Sequence, residues 1–360
     1  KTVSPPVPTA PRATAAAVPS VTTPVAPKIS PEEAEWQKVV EAARREGKAT
    51  IYTWGYIGDT GTQIKNAFKS RYGVDLDIVT GRGAEFTERL KTEKRIGNMI
   101  ADLTQGASVH LLNMKNLDLL EVAPGLPALR NKGDFRVDPM LDKEGYILNE
   151  NVQIIGPMVN TNLVKPGEEP KSLQEMLDPK WKGKLLAHSP LVSTGTYIAF
   201  IPLLNAKTIT LDWLRDIGKQ DLILTRGDQD TADKLSRGEY PVALVLADTM
   251  AGPYIKEGAP IKAIPMAEGI TASTLVIAQT KNAPHPNAAR LFLDWILSPE
   301  GQTVYHKSKS TASVRKDVPD FRPPAVRLPP TAKLVLETAS DVSDETKKYV
   351  DKWLIELWKK

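Results

Sequence analysis

The chain reads as an α/β protein of two lobes, each a mixed, mostly parallel sheet flanked by helices, with a ligand cleft between them. Three observations carry this. Short β-branched or apolar runs alternate with amphipathic stretches and glycine-containing turns in units of about 30 residues, which is the rhythm of strand–turn–helix in a parallel sheet. That rhythm occurs twice, before residue 100 and again after residue 184. The 360 residues, 41% of them hydrophobic, suffice for two lobes with their own cores.

The first thirty residues stand apart. They are rich in Pro, Ala, Thr and Val, with no aromatic or acidic residue, and cannot offset their ordering entropy by burial, so they predict a disordered linker over 1–30. The formal net charge of +4 comes largely from Lys1, Arg12 and Lys28 in that stretch. A near-neutral folded part argues against nucleic acid as a partner. The absence of cysteine excludes disulfides, thiolate metal sites and cysteine nucleophiles. No uninterrupted apolar run reaches the roughly 18 residues of a transmembrane helix. The start at Lys1, with no apolar signal core ahead of it, fits a processed or truncated precursor.

The folded part opens at Ser30-Pro31-Glu32-Glu33, an N-cap followed by proline and acids in the first turn, and predicts a helix to about Gly47. Strand signals follow at 49–54 and 74–79, with helices at 62–72 and 85–96. In the second half, strands are expected at 184–187, 221–225, 242–246 and 275–278, and helices at 197–205, 211–220, 228–237 and 286–297. The stretch 342–358 places Val350, Trp353, Leu354, Leu357 and Trp358 on one helical face, which predicts a helix packed on a lobe. The expected division is 31–153 for the first lobe, 154–271 for the second, 272–330 for a return to the first, and 331–360 for the C-terminal helix.

A search for catalytic constellations fails. Gly81-Arg82-Gly83 is followed by Phe86 where a dinucleotide fingerprint needs glycine. The Gly-Lys pairs at Gly47, Gly183 and Gly218 lack the preceding glycine of a phosphate-binding loop, and Ser193-Thr194-Gly195 lacks the first glycine of a nucleophile elbow. His110, His188, His285 and His306 share no metal-ligand spacing. No enzyme and no cofactor are expected. The informative residues are instead the polar turns after strands: Gly55 to Asp59 with Tyr56, then Arg82-Gly83, Ser108, Ser193-Thr194-Gly195-Thr196 with Tyr197, Asp228, and Asp248-Thr249. Helix starts with free N–H groups, hydroxyls and a guanidinium suit an anionic group. Asp228 and Asp248 suit an amine. The same Ser, Thr and Asp residues are also ordinary helix caps.

These residues resemble the type 2 solute-binding proteins of ABC importers, in the branch that holds the ferric-iron-binding proteins. The resemblance runs from about residue 48 to 317. It rests on Ala67-Phe68-Lys69-Ser70-Arg71-Tyr72-Gly73-Val74 and Gly81-Arg82-Gly83, on Leu177-Asp178-Pro179-Lys180-Trp181-Lys182-Gly183-Lys184, on Arg237-Gly238-Glu239-Tyr240, and most of all on Ala283-Pro284-His285-Pro286-Asn287-Ala288-Ala289-Arg290-Leu291-Phe292-Leu293-Asp294-Trp295-Ile296-Leu297-Ser298-Pro299-Glu300-Gly301-Gln302. It implies hinge strands near 152–160 and 271–277. It also implies a small ligand clamped by lobe closure, a permease partner, a monomer, and a periplasmic or extracellular place with the linker as a lipoprotein tether. Iron-binding members carry adjacent tyrosines where this chain has Asp248-Thr249. The ligand implied here is therefore a small organic anion or zwitterion. Ferric iron held by Tyr56, Tyr197 or Tyr254 is the alternative, and a sensor or enzyme on the same fold is a more distant one.

Overall fold

The computed structural model describes residues 1–4, 30–123, 125–191, 193, 195–338, 341, 355, 356 and 358. Most of the Pro/Ala/Thr stretch, Thr194, and most of the expected C-terminal helix lie outside them. In chain order the elements are α1 (Pro31–Glu46), β1 (Lys48–Thr53), α2 (Gly58–Tyr72), β2 (Asp75–Thr80), α3 (Gly83–Ile96), β3 (Leu103–Ala107), α4 (Ser108–Asn116) and β4 (Leu120–Glu121). The long strand β5 (Leu148–Asn160) leads to β6 (Leu185–His188), α5 (Gly195–Asn205), α6 (Leu211–Gly218), β7 (Ile223–Thr225), α7 (Asp228–Ser236), β8 (Val242–Ala247), α8 (Asp248–Lys256) and β9 (Ile261–Ala263). A second long strand, β10 (Ile270–Thr280), precedes α9 (Pro286–Leu297), α10 (Pro299–Lys309), β11 (Ala312–Ser313) and β12 (Leu334–Leu336).

Local chemistry sets the boundaries. Ser30 Oγ accepts from Glu33 N at 3.1 Å to start α1 behind Pro31, and Gly47 (φ 77°) ends it in the left-handed region. Thr210 and Ser298 cap α6 and α10 in the same way.

The strands run β2-β1-β3-β10-β5-β8-β6-β7, with β4, β9, β11 and β12 on the flanks. β1 is parallel to β2 and β3, and β6 is parallel to β7 and β8. The antiparallel pair β5–β10 passes through both groups. Two cores result. One gathers α1, α2, α9 and α10 around Phe68, Phe292 and Trp295, with ring centroids 5.1–5.8 Å apart. The other surrounds β8 and α5 with Phe200 and Trp213. Each such fully buried large apolar side chain is worth about 1.5–3 kcal/mol. Trp358 belongs to the second core, its indole N–H donating to the Leu214 carbonyl at 3.2 Å.

β10 spans 270–280 rather than 275–278, because its first half pairs with β5 and β12 through residues whose Ser and Thr content hides the strand. α5 starts two residues earlier than expected, at Gly195. Among the described residues no helix is long and apolar enough to cross a membrane.

Candidate ligand-binding cleft

Sheet register locates the cleft. β3 ends with Ala107 opposite Leu275, and Leu275 lies opposite Asn151. From the other side β8 ends with Ala247 opposite Ile155. The carboxyl ends of the two parallel groups thus point at each other across four residues of β5, about 13 Å of strand. Gln153 and Ser273, opposite one another in register, make the floor. The turns after β1, β2 and β3 form one wall, and those after β6, β7 and β8 the other. This is the position at which open α/β sheets bind ligands.

Six of the expected site residues lie in the turns that border this gap, and several of them are already engaged. Arg82 is exposed and precedes α3, its N–H donating to Glu85 Oε2 at 3.3 Å. Gly83 lies so close to His110 that a Cβ would sit 2.3 Å from the ring, so no side chain fits there. Burial lowers the pKa of His110. Ser108 is buried and donates to Glu337. Ser193, half-buried, accepts from Gly195 N at 3.1 Å and lies 3.3 Å from His188 Nδ1. Asp228 accepts from Ala247 N at 2.9 Å and stands 3.7 Å from His188 Nε2. Thr249 donates to Gln153 Oε1 at 2.9 Å, tying the second wall to the floor.

His188 stands between the turns after β6 and β7, and Asp228 carries the connection on to the end of β8. Its ring is fully buried, and burial lowers its pKa while Asp228 opposes the shift. A Cβ at Gly195 would fall 1.9 Å from Nδ1, so glycine is required where α5 begins. Histidine spacing alone gave no sign of this hub.

Other expected residues do not face the gap. Tyr56 is buried in the first core and its phenol donates to Glu150, itself fully buried. Burial pushes the Glu150 carboxyl up to about 8 against the pull of Lys309. Register explains its position: Asn151 pairs with Leu275 and Asn149 with Val276, so Glu150 is the extra residue of a β-bulge, aimed at Tyr56 and Gln105. Thr196 is buried and donates to the His188 carbonyl at 2.7 Å. Tyr197 donates to the Asp341 carbonyl. Asp248 is not available to an amine: it is buried and paired with Arg322 at 2.9 Å. Burial raises its carboxyl to about 6, with Arg322 holding it down. Tyr254 donates to Asp233 Oδ1 at 2.5 Å, and burial with that bond pushes it to about 12. The three phenols expected for ferric iron are each engaged elsewhere and do not converge. Among the described residues no group of three or more His, Cys, Asp or Glu side chains has metal-binding geometry.

Two α/β lobes joined by paired crossing strands, with the site at the junction, define a two-lobed binding protein. Residues 110–331 match the model of the bacterial extracellular solute-binding protein family, and the chain belongs to that family. It is a non-catalytic, extracytoplasmic substrate-binding protein of an ABC importer. An uncharacterized protein of Haemophilus influenzae is 24% identical over 328 residues, covering 88% of this chain and 92% of its own. The periplasmic binding protein AfuA from Actinobacillus pleuropneumoniae, solved with fructose-6-phosphate, has a TM-score of 0.69 at 21% identity over 87% of this chain and 99% of its own. The Trichodesmium IdiA/FutA protein, solved with iron and citrate, has a TM-score of 0.71 at 17% identity over 87% and 100%. Both structures share the type 2 periplasmic binding fold.

Proposed function

We propose that this protein captures a small organic anion, a phosphorylated or carboxylated metabolite, by closing its lobes on it, and hands it to the importer's permease. The observation that carries the reading is the start of α5. There Gly195 leaves no room for a side chain over His188, Ser193 stands half-buried beside it, and the helix N-terminus opens at the carboxyl end of β6. Arg82, exposed on the first wall, adds positive charge, whereas Arg226 on the second shares its charge with Asp230 at 3.6 Å. The AfuA relative holds a sugar phosphate, in keeping with this reading. A zwitterion is less favoured, because Asp248 is already neutralised by Arg322. Ferric iron, carried by the Trichodesmium relative, is the second reading, and the dispersed tyrosines weigh against it. Closure is driven by whatever the ligand binds better in the closed state. The test is a thermal-shift panel of sugar phosphates, carboxylates, amines and ferric citrate. Stabilisation by an anion and not by ferric citrate is expected, and stabilisation by iron alone would overturn the reading.

A further inference from the structure

β3 and β12 lie end to end on the same edge of β10. Ala107 closes β3 opposite Leu275, and Leu336 closes β12 opposite Ala272, so only Ser273 and Thr274 separate them. Glu337 leaves β12 into this gap, its N–H donating to the Ala272 carbonyl at 2.8 Å. One carboxylate oxygen accepts from Ser108 Oγ and the other from Ser273 Oγ. The residue is only 3% exposed, and among the described residues no Lys, Arg or His lies within ion-pair distance of it. Beyond Glu337, Asp341 is held against α5. Thr338 N and Oγ1 donate to Asp341 Oδ2, each at 2.7 Å. Asn205 Nδ2 donates to Asp341 Oδ1 at 2.6 Å, and the Asp341 carbonyl takes the Tyr197 phenol.

A carboxyl group on the cleft floor, held by one hydroxyl from a wall and one from the floor, has the surroundings of a bound acid: burial and the nearby Asp341 raise its pKa, and the two serine hydroxyls hold it down. We propose that Ser108 and Ser273 form an oxyanion seat for a carboxylate or phosphate group, and that Glu337 fills it as a tethered ligand. A free acid takes the seat when Glu337 leaves it. The seat itself stands on this geometry alone; only its competition with the transported ligand rests on the organic-anion reading.

The test uses the full chain with Glu337→Gly and Glu337→Gln, and acetate as probe. Acetate should raise the melting temperature of Glu337→Gly saturably and leave wild type and Glu337→Gln unmoved, because a side chain still fills the seat in both. A tetramethylammonium salt at equal ionic strength should do nothing. No acetate effect on Glu337→Gly, or an equal effect on all three proteins, overturns the seat. Inorganic phosphate should then bind Glu337→Gly at least about tenfold more tightly than wild type; no gain overturns the competition while leaving capture of an organic anion at α5 intact. Should Glu337→Gly fail to fold, Ser273→Ala in the wild-type background replaces it. Amide exchange at residues 334–337 should then accelerate selectively relative to β1, and unchanged protection of that segment overturns the proposal.

Discussion

Asp248, the first residue of α8, is fully buried and bonded at 2.9 Å to Arg322, which arrives from the segment after β11 and is also held by Asp320. A helix start in the second lobe is therefore fastened to chain returning from the first. Removing one partner strands the other charge in a low-dielectric setting. Arg322→Ala should cost about 3–5 kcal/mol in urea unfolding, and Asp248→Asn with Arg322→Met should recover most of it. A loss below about 1 kcal/mol in the single variant would show that the pair is well solvated.

Glu150 sets a pH dependence of known sign. Its carboxyl lies at about 8 in the folded protein, against an ordinary value of 4.5, chiefly because of burial. An acid raised by folding contributes stability that is complete below its unfolded pKa and lost as pH rises through the folded value. Between pH 5 and 8 the wild type should lose stability from this group, at up to about 1.4 kcal/mol per pH unit. Glu150→Gln should flatten that part of the curve, measured by chemical unfolding at each pH. Parallel curves for the two proteins would contradict the assignment.

Tyr56→Phe separates a core role from a ligand role. The phenol is spent on Glu150 and the ring packs edge-on to Tyr305 at 5.4 Å. Loss of about 1–3 kcal/mol of stability with unchanged ligand affinity is expected, since a buried acceptor loses its donor. Abolished iron loading with unaltered folding would restore the ferric reading.

Ser193→Ala and Arg82→Ala address the anion directly. Each should weaken binding of an anionic ligand about tenfold, roughly the 1.4 kcal/mol expected for a hydrogen bond to a charged group. Stability should move by less than about 1 kcal/mol, because Arg82 is exposed and Ser193 only half-buried. Isothermal titration and thermal unfolding on the same samples check both. Unchanged affinity in both variants would take these residues out of the site.

Much of the fold was legible because its signals are local. Ser30-Pro31 announces α1, Gly47 and Gly73 end α1 and α2 in left-handed conformations, and the apolar run at 242–246 marks β8. β5 was harder, since Asn149, Glu150 and Asn151 are all buried and break any alternation. The polar turns were found, but not the occupation of their side chains. Ser108 meets Glu337 across 229 positions, and Asp248 meets Arg322 across 74. Nothing within a few residues of Ser108 or Asp248 encodes those partners. Tyr56 misled for a similar reason: a phenol in a glycine-rich turn looks ligand-facing until a bulge 94 positions away supplies a carboxylate beneath it.

The most direct test of the central claim is native mass spectrometry with elemental analysis on protein purified gently from cells. Capture of an organic anion predicts a retained small-molecule mass, released on denaturation, with no stoichiometric metal and a smaller retained fraction in Ser193→Ala. Stoichiometric iron, with the visible charge-transfer colour of phenolate ligation, would contradict it.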